Sequence, residues 1–412
     1  MKHSMLVVAV ISIAIVLRFH NYENRITFGS EQARSLTVAA DYIKEKPSLL
    51  GQEYFRTTRS GLKLFSGAQF SYSLVPLLLA FRYDPFPITI YFTLLNIFTG
   101  IILYVLFKEI AGSKIALVAM TLFLFNDVMI AHSLFIWIMN YSPLVGLLII
   151  YCLFKHIKSR KIVWVFITGV LTGIGFSLQY LFIIAAIPIV VFIYYHQKKR
   201  FLTHFYYVGG CLLGNLPMIL FDLRHNFYHF NTLTEYAKET IVGQGSGNLA
   251  MYQFLHFWPL FALAGGWIIM RIAKMNKMFP LVFICVYLAL NVYSPRISFV
   301  KSVGMPDGLV YQDIIDAAEE IAKNEPSNFN VVSLLDFDTR GYILRYPLKY
   351  LYQVYPADIV SYKEVDNVYA LARADYNFSD NVPWELDEFR TTSVNSLGSI
   401  GKNYTVFILK HE

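Results

Sequence analysis

A chain of 412 residues that is 56% hydrophobic and only 15% charged, with a mean hydropathy of +0.47, is not a soluble globular protein of ordinary makeup, in which about a quarter of residues are charged. The formal net charge of +7 does not point to nucleic acid. The lysines and arginines fall in short breaks between apolar runs and form no basic stripe interleaved with aromatics. The cysteines, Cys152, Cys211 and Cys285, all lie in apolar stretches without CxxC or Cys/His spacing, which argues against both a thiolate zinc site and disulfides.

The first apolar segment, 5–16, follows Met1-Lys2-His3 and runs into Val16-Leu17-Arg18-Phe19-His20. No small-x-small cleavage site follows, so a retained anchor helix is expected. The stretch 18–87 then reads as one long external loop. It contains an apolar segment, 68–81, that is short of the roughly 20 residues needed to cross a bilayer, and that segment is expected to lie in or dip into the outer interface. Further spans are expected at 88–107, 115–132, 135–154, 162–178, 180–195, 204–221, 251–270 and 278–293. The breaks 108–114, 155–161, 196–200 and 271–277 are short and basic, which places them in the cytoplasm by the positive-inside rule. Non-basic turns near His132-Ser133, near Gln179 and at 222–250 face outward. The count closes with about nine spans, the amino terminus inside and the carboxy terminus outside.

Near Ser294 the character changes to the density of acidic, amide and turn residues of a soluble domain. Residues 311–322 have helical periodicity, and 330–335, 368–372 and 404–409 read as short buried strands. The expected fold class is a polytopic α-helical membrane protein, 1–293, followed by a small extracytoplasmic α/β domain, 294–412. No glycine-rich nucleotide loop stands at a strand–helix junction.

The ionisable residues expected on the outer face form three groups. Glu31 stands in Phe28-Gly29-Ser30-Glu31-Gln32-Ala33-Arg34, just past the first span, with Arg34 on the same side if this stretch is helical. Arg56, Arg59 and Lys63 come later in the loop. Asp222-Leu223-Arg224-His225-Asn226 follows the span ending near Phe221, and Asn126-Asp127 lies at the outer end of another. A carboxylate beside several cations suits deprotonation of a hydroxyl or amine next to a phosphate-bearing leaving group. The plainer alternatives are an exposed helix pair for Glu31 and Arg34 and head-group anchoring for the other cations, Asp222 and His225. Asp127 has an interfacial alternative too. No metal motif is visible, since His132, His196, His204 and His225 are scattered; carboxylates alone can hold Mg²⁺, so a divalent metal stays open.

Taken together, these features resemble the GT-C superfamily of integral-membrane glycosyltransferases, in particular the bacterial relatives of protein O-mannosyltransferases and the aminoarabinose transferases (glycosyltransferase family 39-like). The resemblance is carried by Thr27-Phe28-Gly29-Ser30-Glu31-Gln32-Ala33-Arg34 after the first helix, Leu49-Leu50-Gly51 in the external loop, Leu220-Phe221-Asp222-Leu223-Arg224-His225-Asn226, and the external tail beginning Asn330-Val331-Val332-Ser333-Leu334-Leu335-Asp336. It implies transfer of a sugar from a polyprenyl-phosphate donor to a lipid, glycan or protein acceptor on the outer face of a prokaryotic cytoplasmic membrane. It also implies a catalytic base in the first external loop, here Glu31, and cations holding the lipid phosphate, for which Arg34, Arg56, Arg59, Lys63 and Arg224 are candidates. Asp127, Asp222 and His225 are further site candidates. Many relatives carry an Asp or an Asp-Glu pair where this chain has Ser30-Glu31. Two readings compete. A transporter would need charged or broken helices at the bilayer midplane, whereas these spans are apolar at their centres; a catalytically silent scaffold of envelope assembly would keep the fold without the chemistry.

Overall fold

The computed structural model describes residues 2–196, 201–242, 251–324, 326–336, 338–380 and 382–411. The first helix, Lys2–Phe19, runs antiparallel to the long helix Pro85–Ala111. His3 Nε2 lies 3.1 Å from Tyr104 Oη near one end, and Arg18 donates to Asn96 Oδ1 at 2.8 Å and Tyr22 pairs with Thr93 Oγ1 at 2.8 Å toward the other. Among the described residues three helical stretches are long and apolar enough to cross a membrane: Pro85–Ala111, Ile138–Ser159 and Met251–Ile272. Shorter apolar helices pack beside them. Their outer faces carry exposed Leu94, Phe98, Ile187, Leu212, Ile268 and Leu290, a surface that only lipid can solvate cheaply.

Two expected spans are broken. The run 115–132 divides into Ser113–Leu124 and Asp127–His132, because Asn126 turns its side chain back to accept from Val128 and Met129 N–H and so starts a new helix. The run 204–221 bends by 75° at Asn215, between Phe201–Gly214 and Leu216–Arg224, where Pro217 cannot continue the hydrogen-bond ladder.

The basic breaks gather at one end of the bundle. Glu109 accepts from Lys155 at 2.8 Å and from Lys158 at 3.3 Å. Lys114, Arg271 and Lys274 line one shallow surface, and Arg160 Nη1 lies 3.5 Å from His196 O. Of the break 196–200, residues 197–200 lie outside the described residues, as do 243–250 of the expected outer turn. The non-basic turns collect at the opposite end. There Thr27 N donates to Leu134 O at 3.0 Å, Gln179 Nε2 to Gln253 O at 2.8 Å, and Lys63 N to Tyr228 Oη at 2.9 Å.

At that end the stretch 18–87 is more structured than a loop. It holds the helix Ser30–Lys44, an antiparallel hairpin of β1 (Leu50–Thr57) and β2 (Lys63–Gly67), and the helix Gln69–Ala80. The last is 12 residues long, about 18 Å, against roughly 30 Å of hydrocarbon. Its first residue donates to Gly214 O at 3.0 Å, at the start of the 75° bend, and it packs along the helix Ser30–Lys44.

The C-terminal part is a four-stranded mixed sheet in the order β3-β4-β6-β5, with β3 Phe329–Ser333, β4 Asn367–Arg373, β5 Ser393–Ile400 and β6 Tyr404–Lys410. β3 and β4 are parallel and joined through the helix Tyr342–Tyr350; β6 runs antiparallel to both β4 and β5. One face of the sheet buries Val332, Val368, Leu386 and Leu409; the other shares a continuous core with the membrane part. Phe28 meets Tyr311 and Tyr346 edge-on at 5.6 and 6.2 Å, Tyr346 donates to Tyr83 O at 2.6 Å, and Lys349 pairs with Asp41 at 2.8 Å.

Helices Val163–Leu178 and Phe201–Gly214 touch along a glycine seam. Gly169 and Gly173 face Gly210 and Gly214, and a Cβ at Gly173 would meet Cys211 O at 2.2 Å and one at Gly210 would meet Phe166 O at 2.3 Å. Small residues four apart let backbones approach where no hydrophobic force drives helices together. Gly173→Val is expected to lower the thermal midpoint in detergent, at a cost of about 1–3 kcal/mol. Gly209→Ala, whose Cβ meets nothing within 4 Å, is expected to leave it unchanged or raise it.

Candidate functional site

Glu31 occupies the first turn of the helix Ser30–Lys44, whose start is fixed by Gly29 N donating back to Gln32 Oε1 at 2.9 Å. The carboxylate accepts from Gln52 Nε2 of β1 at 2.9 Å, and Gln52 is itself held through its Oε1 by Ser35 Oγ. The hairpin, absent from the sequence reading, therefore positions the acid. Burial pushes the Glu31 carboxyl above the usual carboxylate range. Arg34 and the Gln52 hydrogen bond pull the other way, Asp338 adds to the rise, and Arg340 opposes it. Tyr54, on the same strand, feels the Glu31 charge; burial first and that charge second raise its hydroxyl.

Arg34 is 4% exposed one turn further along. Burial lowers its pKa and Glu31 opposes that. Its guanidinium lies 6.0 Å from the Tyr342 ring, and Arg340 lies over the same ring at 5.3 Å. Arg340 Nε binds Asp338 Oδ1 at 2.7 Å. Ser30 Oγ donates to Asp336 Oδ2 at 3.1 Å. The segment following β3 thus brings Asp336, Asp338, Arg340 and Tyr342 to the pair Glu31–Arg34. In sequence that segment is one more polar turn of the tail; the signal available was its density of alternating acid and base, Asp336-Phe337-Asp338-Thr339-Arg340, next to a strand end.

The remaining candidates have other partners. Arg59 is exposed at the hairpin tip, where its backbone N–H donates to Glu239 Oε1 at 2.8 Å. Lys63 is exposed and pairs with the half-buried Glu53 at 3.3 Å. Arg56 lies on β1, and its side chain is outside the described residues. Asp222 accepts from His229 N at 2.7 Å and Phe230 N at 3.2 Å, so it caps the helix Tyr228–Ile241. Arg224 and His225 are exposed at the end of Leu216–Arg224, with His225 stacked on Phe221 at 4.1 Å. Asp127 binds Ser294 Oγ at 2.6 Å and Arg296 Nη1 at 2.8 Å, which ties the helix Asp127–His132 to the connection into the C-terminal part. Among the described residues no group of three or more His, Cys, Asp or Glu is arranged to hold a metal ion. Removing the Asp222 cap is expected to cost about 0.5–2 kcal/mol. Hydrogen exchange on Asp222→Ala should show loss of protection at the His229 and Phe230 amides with the Ser30–Lys44 amides unchanged.

Glu31 with Arg34 and Arg340 can take a proton beside a developing negative charge, and the comparisons bear on which reaction that serves. Residues 71–221 match the family model of dolichyl-phosphate-mannose-protein mannosyltransferase. No curated protein matches the chain. The structure is similar to that of ArnT from Cupriavidus metallidurans in the apo state, with a TM-score of 0.55 and 13% identity over 99% of this chain and 98% of that one. ArnT bound to undecaprenyl phosphate aligns with a TM-score of 0.48 at 11% identity over 98% and 97% of the two chains. The Archaeoglobus fulgidus oligosaccharyltransferase complex with Zn and sulfate aligns at 0.47 and 10% over 89% and 67%. The apo ArnT likeness shows a common fold over the full length. The matched segment lies inside the membrane part, and the fold shared with apo ArnT runs from end to end of the chain.

Proposed function

We propose that this protein transfers a sugar from a polyprenyl-phosphate-linked donor to an envelope acceptor, with Glu31 as the base. The observation that carries the reading is a carboxylate raised by burial and set within one cluster with two arginines, at the end of the bundle opposite the basic breaks. By the positive-inside rule the basic end is cytoplasmic. The Glu31 end and the C-terminal sheet then face outward, at the level where a lipid-linked phosphate meets water. A donor delivered by the membrane needs no nucleotide fold. The family match at 71–221 and the GT-C fold agree with this chemistry.

In the proposed step an acceptor oxygen attacks the anomeric carbon from the face opposite the phosphate, so configuration inverts. The carbon–oxygen bond to phosphate breaks, and polyprenyl phosphate leaves with its electron pair. Glu31 receives the acceptor's proton. Arg34 and Arg340 offset charge on the departing phosphate, and the low local dielectric strengthens that interaction.

In nanodiscs with radiolabelled polyprenyl-phosphate sugars and crude envelope acceptors, wild type is expected to transfer label. Glu31→Gln is expected to fall by about 10²–10⁴ with an unchanged thermal midpoint. Equal activity in both would remove Glu31 from the chemistry, and no transfer from any such donor would favour a silent scaffold.

Glu31 works as a base only when ionised, so the raised pKa places the acidic limb of the rate profile above the usual carboxylate range. The Gln52 hydrogen bond favours the ionised form. Gln52→Leu should therefore move that limb to still higher pH; a limb that stayed in place would separate the rate from Glu31.

A further inference from the structure

A cavity of about 190 Å³ lies at the Glu31 end of the bundle, and none of its walls belongs to the Glu31 cluster. Arg25 lines it and is 1% exposed. Its Nη1 donates to the carbonyls of Leu17, Arg18 and His20 at 2.8, 3.3 and 3.0 Å, which caps the end of the helix Lys2–Phe19. Its Nε and Nη2 meet no acceptor among the described residues, and no carboxylate there pairs with it. Arg18, fully buried, adds a second positive charge nearby. An arginine keeps its proton at any working pH, so the buried Arg25 edge calls for an anion. The rim adds Arg296 and Lys301, both exposed. Arg296 shares Asp127 and Lys301 shares Asp307, so acids answer the rim while Arg25 stays unanswered.

The remaining walls are apolar and the setting is interfacial. Ile130, Leu134 and Phe135 form one side. The helix Phe279–Val292 ends just before Arg296, with Leu290 and Tyr293 exposed, and Val300 and Val303 are exposed along the connection that carries Arg296 and Lys301. A tyrosine at the end of an apolar helix marks the level of the head groups. A charged hollow beside an apolar rim at that level complements a lipid, whose phosphate sits directly above its acyl chains; a phosphate free in water has no use for the apolar part. We propose that this cavity binds the phosphate head group of a membrane phospholipid, with Arg25 and the rim cations as donors and the acyl chains against Val300 and Val303. Such a site works whether or not the protein transfers sugar. The cavity is shared by the chain just past the first helix, the helix Asp127–His132 and the connection 296–304, so a seated phosphate ties the C-terminal part to the bundle.

The test uses the full-length protein in detergent, titrated with phosphatidylglycerol and followed by native mass spectrometry and thermal midpoint. Wild type is expected to retain phosphatidylglycerol at concentrations where diacylglycerol of the same chain length, which lacks the phosphate, is not retained, and to gain thermal midpoint. Lys301→Gln should weaken retention about fivefold, the worth of one cation at a lipid surface. Arg25→Gln should weaken it about ten- to hundredfold, the worth of a hydrogen bond to a charged group, and Arg25→Lys should recover part of the loss. Because Arg25 also caps the first helix, a second variant is needed. Ala131→Phe fills the cavity without removing a cation, and it should lose retention while keeping its midpoint in the absence of lipid. Hydrogen exchange over 296–304 should slow when the lipid is added. Equal retention of phosphatidylglycerol and diacylglycerol, or undiminished retention in both Lys301→Gln and Ala131→Phe, overturns the proposal. A gain in midpoint from inorganic phosphate equal to that from phosphatidylglycerol overturns the lipid assignment in favour of a free anion.

Discussion

The docking of the C-terminal sheet on the first-loop helix is the contact on which the rest depends. Phe28, Tyr311 and Tyr346 bury their rings in one cluster, and Asp41 receives both Lys349 and Tyr350 from the same helix of the C-terminal part. Burying three aromatic side chains contributes several times about 2 kcal/mol, which fixes the helix Ser30–Lys44 in rotation about its own axis. Rotation decides which residues of its first turn face the hairpin. With Phe28 seated, Glu31 faces Gln52 and Ser30 faces Asp336; with the cluster undone, the hairpin still holds Glu31 through Gln52 and Ser35, while the Ser30–Asp336 contact loses the docking that aligns it.

That arrangement also explains how an acid and two arginines coexist with little water. A carboxylate taken out of solvent alone is costly, and burying it with Arg34 alone would still be a poor bargain. The aromatic ring of Tyr342, within 6.0 Å of both guanidinium groups, and the Arg340–Asp338 pair spread the charge over several contacts. The outcome is a Glu31 whose rise through burial is opposed by Arg34, Gln52 and Arg340, the balance the proposed base calls for.

Parts of this were legible in the sequence because they follow from local rules. Glu31 and Arg34 share a helix side by spacing alone. The helix Tyr311–Lys323 and the strands β3, β4 and β6 stand within a few residues of the periodic runs that announced them. The clustering of the basic breaks follows from their charge. Other parts are set by tertiary contacts. The hairpin β1–β2 has irregular register and draws its backing from Ser177 and Tyr228, remote in sequence. Asp336, Asp338 and Arg340 look like any solvated turn until the helix Ser30–Lys44 is laid across them. The break at Asn126 was visible as a capping residue inside an apolar run, a signal outweighed by hydropathy. Asp222 looked chemical because it sits among Arg224 and His225, yet two backbone amides account for it.

The separation along the chain between the two halves of the site has a consequence for how the protein is made. Ser30 and Asp336 are 306 residues apart, and Asp41 and Lys349 are 308. At a synthesis rate of about 5–20 residues per second, the first-loop helix waits roughly 15–60 s for its partner. During that interval the helix Ser30–Lys44 can rest on the helix Gln69–Ala80 and the hairpin, but Phe28 and the side that meets Tyr346, Lys349 and Tyr350 lack their partners. The chain is therefore an early-exposed, late-satisfied folder, and its yield depends on what shelters one short amphipathic helix until the final hundred residues arrive.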